Sequence, residues 1–285
     1  ATFRLPMGKR NVAVCPALTA TFRLPIGNTY HELYLKAAGL ANSLADITEI
    51  RVYANAKVIH TYSGPRRDRL NKFDGRPAFG TANAGTLIIP FTRYNLKNVN
   101  AELVSAVSTG ADPSQANPGN VITEFRVEVD LAPGAYNPSL EMYAQQSAGR
   151  PKGAGAIIHT RRFSEVVTAA GEVDFSTLAR GGVSTAQINR MFLIPSQNNV
   201  DSVKIERNQY VIFDRDEELN TLFQNQGVRV PETTGVKMFA IDFSEQGYGG
   251  ESLNMTGIED FRLKMNVSGA MNLDIVVEYV GGVGQ

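Results

Sequence analysis

The chain has 285 residues, 43% of them apolar and 20% charged, which excludes a disordered or collagen-like polymer and allows one large core or two ordinary ones. Lys plus Arg equals Asp plus Glu, at 28 each, so a whole-domain electrostatic footprint for duplex DNA is absent although local basic patches are not. Cys15 is the single cysteine, which rules out an intrachain disulfide, and no apolar run approaches the roughly 20 residues needed to cross a bilayer. Arg4, Lys9 and Arg10 interrupt any secretory core near the start, so the sequence predicts synthesis in a reducing cytoplasm. Near-zero net charge also lowers self-repulsion and suits a surface that packs against copies of itself.

The first element is a doubled phrase: "ATFRLPMG" (1–8) and "ATFRLPIG" (20–27) differ only at Met7 against Ile26. In the second copy Phe22 and Leu24 share one face and Thr21 and Arg23 the other, until Pro25 and Gly27 end the strand. The expectation is that this second copy opens the folded domain. The first copy, within an arm over 1–15, would then be either a passive duplication or a spare strand that adds to a sheet edge.

Further along, the dominant period is two. "ITEFRVEVDL" (122–131), "FRLKMNV" (261–267) and "LDIVVEY" (273–279) all alternate apolar with polar residues, as half-buried antiparallel strands do. Dense turn signals such as "SGPRR", "ANPGN", "APGAYNP" and "EQGYGG" separate short strands, a pattern of sandwiches and barrels. Helices are predicted over 64–75, 98–110 and 214–227, each short enough to be a connection between strands.

The chain also repeats itself over longer distances. A shift of 136 lays "ITEFRVEVDL" on "IEDFRLKMNV" (258–267) and Tyr143 on Tyr279. A shift of 153 lays "DITEIRVYANAKVI" (46–59) on "NVDSVKIERNQYVI" (199–212), with Asn55 on Asn208 at the turn, and in both halves a short helix containing Leu-Asn follows. Blocks recurring in one order predict two copies of a β-unit of about 130 residues, the size of an eight-stranded jelly roll. The predicted fold is therefore all-β: two tandem eight-stranded jelly rolls with short inserted helices, divided as an N-terminal arm (1–15), roll 1 (16–149) and roll 2 (150–285).

Signals for catalysis are few. His31, His60 and His159 have no metal-ligand spacing, and solvent-facing strand positions are expected for His60 and His159. Cys15 in "AVCPAL" reads as an inert buried thiol. The run Asp214, Asp216, Glu217 and Glu218 lacks the spacing of a calcium loop and suits the first turn of a helix, where acids favour the dipole. An enzyme reading, a double jelly-roll amidase or glycan-cleaving enzyme, would pair Glu124 with Glu259 or Asp260 at equivalent places in the repeat. A glycan-binding module or receptor-binding spike is a third reading, disfavoured by the absence of tryptophan. Basic residues cluster at Lys9-Arg10, at Arg66, Arg67, Arg69, Lys72 and Arg76, and at Arg150-Lys152 and Arg161-Arg162. Such clusters serve either as solvated surface or as a face toward anionic lipid or nucleic acid.

Three blocks, "FRLPIGNTYHELYL" (22–35), "ITEIRVYANAKVIHTY" (47–62) and "EDFRLKMN…LDIVVEYVGG" (259–282), resemble the major capsid proteins of corticovirus-type, PM2-like phages, which are tailless, icosahedral and membrane-containing. The resemblance runs in order over most of the chain and is thin over 76–120 and 164–198. It implies a non-enzymatic double jelly-roll subunit whose homotrimer gives a pseudo-hexagonal capsomer tiling an icosahedral shell over an internal membrane. It further implies penton or minor capsid and membrane proteins as partners, anionic lipid on the inner face, no specific nucleic-acid readout, and location in the virion after synthesis in a bacterial host. No cofactor is required in that family; bound calcium at subunit interfaces is associated with it, and no ligand set can be matched in this sequence. On this reading the assembly or membrane-facing candidates are Phe3, Arg4, Leu5, Lys9, Arg10, Arg66, Arg67 and Arg69.

Overall fold

The computed structural model describes residues 3–11, 18–80, 84–93, 96–97, 105–116, 119–135, 137–176, 187–248 and 252–283. The chain divides into two units, the first holding residues 1–159 with 282–284 and the second residues 160–281. Each roll pairs a five-stranded sheet with a four-stranded one in the same order.

Roll 1 runs β1 (Phe3–Asn11), β2 (Leu18–Arg23), β3 (Asn28–Ala38), β4 (Ile47–Ala54), β5 (Lys57–Tyr62), α1 (Gly64–Phe73), β6 (Thr86–Pro90), β7 (Val107–Ser108), β8 (Phe125–Leu131) and β9 (Ser139–Ala148). One sheet has the order β1-β9-β3-β6, with the two-residue β7 also on β3; the other has the order β2-β8-β4-β5. Successive strands thus alternate between sheets except at the β4–β5 hairpin and between β6 and β7, the winding of a jelly roll. The alternation read from sequence fills the space between them: Phe22 and Leu24, then Phe125, Val127, Val129 and Leu131, are all buried in one core.

Roll 2 runs β10 (Ile157–Val167), β11 (Gly171–Phe175), β12 (Gln187–Pro195), β13 (Val200–Arg207), β14 (Tyr210–Asp216), α2 (Glu217–Gln226), β15 (Phe239–Asp242), β16 (Leu253–Asn254), β17 (Phe261–Val267) and β18 (Met271–Gly281). Its sheets are β10-β18-β12-β15, with β16 on β12, and β11-β17-β13-β14. Phe261, Leu263, Met265 and Val267 line its own core with Leu273, Ile275 and Tyr279.

The two repeats coincide with structure to within one residue at each end of an element. A shift of 153 carries β4, β5 and α1 onto β13, β14 and α2, and a shift of 136 carries β8 onto β17. The hairpin turn is the same device twice. Asn55 and Asn208 take positive φ of 55° and 47°, a region that asparagine tolerates better than most residues. Each Oδ1 accepts two backbone N–H groups, from Thr123 and Glu124 in roll 1 and from Glu259 and Asp260 in roll 2. The shared Leu-Asn is out of step by a helical turn, because Leu70-Asn71 lies on Phe223-Gln224 and not on Leu219-Asn220.

Several expectations about the elements differ from what is observed. The segment assigned to an arm holds β1, which pairs antiparallel with β9 from Phe3 opposite Gln146 to Asn11 opposite Ser139. In sheet order β1 stands where β10 stands in roll 2, so it is the roll's first strand and the second copy of the phrase gives the second strand. The physical reason is that a sheet edge on β9 accepts any alternating strand with free backbone groups. The division between compact units falls after His159, inside β10. The helix expected over 98–110 lies outside the described residues up to 104, and Val107–Ser108 is strand. The helix expected over 214–227 begins at Glu217, since Asp214 to Asp216 finish β14. Cys15 also lies outside the described residues.

Candidate assembly surface

Most of the basic cluster around α1 is used inside roll 1. Arg67 is contrary to expectation: its side chain is 1% exposed, Nη2 lies 3.8 Å from Asp74 Oδ2, Nε donates to Asn71 Oδ1, and the guanidinium stacks over the Tyr62 ring. It is an internal strut and not a surface charge. Arg76 pairs with Glu32 of β3, and Lys72 with Asp68 at 2.8 Å, while Asn71 Nδ2 donates to the carbonyl of Ile88 in β6. A helix can bury such polar residues only because each charge meets an opposite one. Arg66 and Arg69 remain half-buried at the helix surface and Lys72 is exposed. Phe3, Arg4 and Leu5 of β1 lie opposite Gln146, Gln145 and Ala144, and Lys9 and Arg10 opposite Glu141 and Leu140.

The histidines are likewise inward. His60 and His159 are each 1% exposed, against the expected solvent-facing positions. For His60 the cause is a bulge: Tyr53 pairs with Val58 but Val52 pairs with His60, so Ile59 is an extra residue and the face of the strand changes there. His60 Nδ1 lies 2.9 Å from the Tyr62 hydroxyl, and its ring packs on those of Tyr62 and Phe91. Burial holds its pKa well below the ordinary histidine value, and its neighbours His159 and Arg67 lower it further. His159 Nε2 donates to the carbonyl of Gly282 at 2.9 Å.

Roll 2 fills the corresponding places with other polar pairs. Arg215 makes a two-pronged contact with Glu245 at 2.7 and 2.9 Å and stacks between Phe213 and Phe223. Arg229 pairs with Asp242 at 2.6 Å and Arg190 with Glu278 at 2.7 Å, all four side chains buried. Asn220 and Gln224 on α2 both donate to the carbonyl of Ala240 in β15, as Asn71 does to Ile88 in roll 1. The acidic run is a helix start: Asp216 accepts the N–H of Leu219 and Glu217 and Glu218 occupy the first turn. Among the described residues no group of three or more His, Cys, Asp or Glu side chains is placed to hold a metal ion.

Of the carboxylates in the enzyme reading, Glu124 and Asp260 form surface ion pairs and Glu259 is exposed. Glu124 is bound by Arg126 at 2.7 Å, and Asp260 by Arg262 at 3.1 Å, each on the outer face of its own sheet. A shallow depression of about 150 Å³ on roll 2, lined by Glu172, Lys204, Asp214 and Lys264 among others, holds no second acid–base signature: Lys264 is paired with Glu206 at 2.9 Å, which raises its pKa. No helix of the described residues is long and apolar enough to cross a membrane.

What sequence reading did not single out is an apolar strip on roll 2. Tyr210, Val211 and Ile212 on β14 and Leu219 and Leu222 on α2 all stand in solvent. The available signal was "YVIF", a strand with no polar alternation, running straight into an acidic helix start.

This architecture is shared with known capsid proteins. The structure is similar to the major capsid protein P2 from bacteriophage PM2, with a TM-score of 0.81 and 22% identity over 99% of this chain and 98% of that one. It is also similar to the PBCV-1 virus capsid (TM-score 0.61, 9% identity, 100% and 95% covered) and to a structure from Sulfolobus Turreted Icosahedral Virus (TM-score 0.64, 9% identity, 98% and 90% covered). No curated protein matches the chain. The fold is therefore the double jelly roll that these neighbouring capsid proteins share. Within it the chain belongs to the viral coat protein P2 family, whose N-terminal domain matches residues 11–147 and whose C-terminal domain matches residues 157–283. It is a viral major capsid protein.

Proposed function

We propose that the chain works by self-assembly into a homotrimer whose six rolls form a pseudo-hexagonal capsomer, and that such capsomers tile an icosahedral shell over an internal membrane. The observation that carries this reading is the internal duplication. Two rolls with the same sheet order and the same Asn turn let three identical chains approximate sixfold symmetry. Mechanism here means assembly and not turnover, with rigid cores presenting specific loops and helices to neighbours.

The finer parts of the reading follow the family resemblance. Penton or minor capsid proteins and membrane proteins complete the shell, and calcium at subunit interfaces would draw its ligands from more than one copy. Phe3, Arg4, Leu5, Lys9 and Arg10 on β1, with Arg66 and Arg69 on α1, serve as the face toward neighbours and anionic lipid; Arg67, being internal, is not among them. Synthesis takes place in the cytoplasm of a bacterial host. Light scattering on the purified protein is expected to give the mass of a trimer, and electron microscopy of virions to show hexagonal capsomers. A stable monomer that never associates would overturn the reading.

A further inference from the structure

Large apolar side chains left in water gather on one roll. Among the described residues only Ile26 is in roll 1; the others, Val166, Tyr210, Val211, Ile212, Leu219, Leu222, Val230, Val236 and Tyr248, are in roll 2. Tyr210 is 77% exposed, Val211 50% and Leu222 52%. Three of these residues are consecutive on β14, which ends its sheet, and two more are on α2, which follows it directly. Proteins rarely leave an apolar edge strand open to solvent in their working state.

Roll 1 supplies the internal comparison. Ile59 occupies the bulge position that Ile212 occupies in roll 2, and it is fully buried. The two helices that follow also differ in sign: α1 carries four basic residues and one acidic, whereas α2 carries two acidic residues and none basic. Asp214, Asp216 and Glu218 add exposed acid beside the strip.

We propose that β14 and the outer face of α2 form the surface on which one copy receives roll 1 of the next copy. The inference rests on the self-assembly reading above and assigns residues to it. In a closed ring of identical chains each contact is heterologous, joining one surface of a copy to a different surface of its neighbour. An apolar strip fringed by acid fits roll 1, whose helix α1 brings Arg66, Arg69 and Lys72 to the surface; it does not fit anionic headgroups, which the same acids repel.

The test uses the full chain carrying Val211→Asp or Leu222→Asp, with Ile26→Asp as a control on roll 1. Circular dichroism and melting are expected to match wild type, while light scattering shows the two roll-2 variants dissociating at concentrations at least about tenfold higher than wild type, the effect of removing a buried interface side chain. The control should associate normally. If wild type itself is monomeric, the self-assembly reading fails, and this needs no variant to see. If wild type associates and both roll-2 variants associate equally well, the strip is not the contact and the reading above stands without it. Undiminished association combined with lost flotation on phosphatidylglycerol vesicles would reassign the strip to lipid and overturn the proposal. Should the Asp variants fail to fold, Val211→Ala and Leu222→Ala replace them, read by the same dissociation concentration.

Discussion

Roll 1 and roll 2 wind the same strands around cores of the same shape, yet they bury different chemistry beneath their helices. At one matched position the base is kept and its acid moves: Arg76 reaches Glu32 on β3, whereas Arg229, the residue 153 further on, reaches Asp242 on β15. The place after the bulge on β3, held by Glu32, is taken on β12 by Arg190, which turns to Glu278 on β18. On the hairpin, His60 and Tyr62 give way to Phe213 and Arg215, and Arg215 brings Glu245 with it. The frame constrains where a side chain is buried far more than which one it is. Its condition is that each of these buried charges retains an opposite partner.

That condition makes the largest prediction. Arg229→Ala leaves Asp242 fully buried without its cation and is expected to cost about 3–5 kcal/mol. Arg76→Ala is expected to cost less, because Glu32 retains 13% of its side-chain surface in water and can be partly hydrated. Urea unfolding of the two variants measures the difference. Equal losses would break the comparison, showing that burial does not separate the two pairs.

A second difference is read by pH. A histidine whose pKa is lowered by folding binds fewer protons in the native state than in the unfolded one, so the native state loses stability as pH falls below the unfolded value of 6.5. The loss is expected to approach about 1.4 kcal/mol for each further pH unit until the folded pKa is reached. His60→Phe copies the residue that roll 2 uses at the matched position, and it should remove the His60 part of this slope while leaving the stability at pH 8 close to wild type. A slope between pH 6.5 and 5 unchanged by the substitution would assign the acid sensitivity elsewhere, with His31 and His159 next to be replaced.

Local alternation and the two shifts were enough to locate β4, β5, α1 and β8 with their partners in roll 2, because a strand with one face in a core must show period two. Order along the chain then implied a jelly roll wound twice. What failed were places where local pattern and tertiary pairing disagree. "ATFRLPMG" looks the same as its copy, and only pairing with β9 makes it the first strand. His60 sits on the polar phase of its strand until the bulge at Ile59 turns it inward. Arg67 belongs to a run of basic residues that reads as a surface, and only the arrival of Asp74, Asn71 and Tyr62 around it shows otherwise. The exposed strip on β14 is legible only as a missing alternation. A buried partner and an absent one leave the same mark in a sequence.

The smallest expected effects lie on the outer faces, where the rolls are most alike. Arg126 to Glu124 and Arg262 to Asp260 are the same pair displaced by 136 positions, and both are partly in solvent. Exposed pairs of this kind contribute little, since water screens them and ordering two side chains opposes the gain. Glu124→Gln and Asp260→Asn are therefore expected to leave the unfolding midpoint and the state of association of the wild type unchanged. The same two variants bear on the discarded carboxylate pair. Each of the two carboxylates is held by the arginine two residues further along its own chain segment. A glycan-hydrolysis screen on wild type is expected to find no turnover that either substitution removes. Turnover lost in Glu124→Gln would show that the two outer faces differ in kind and not merely in sequence.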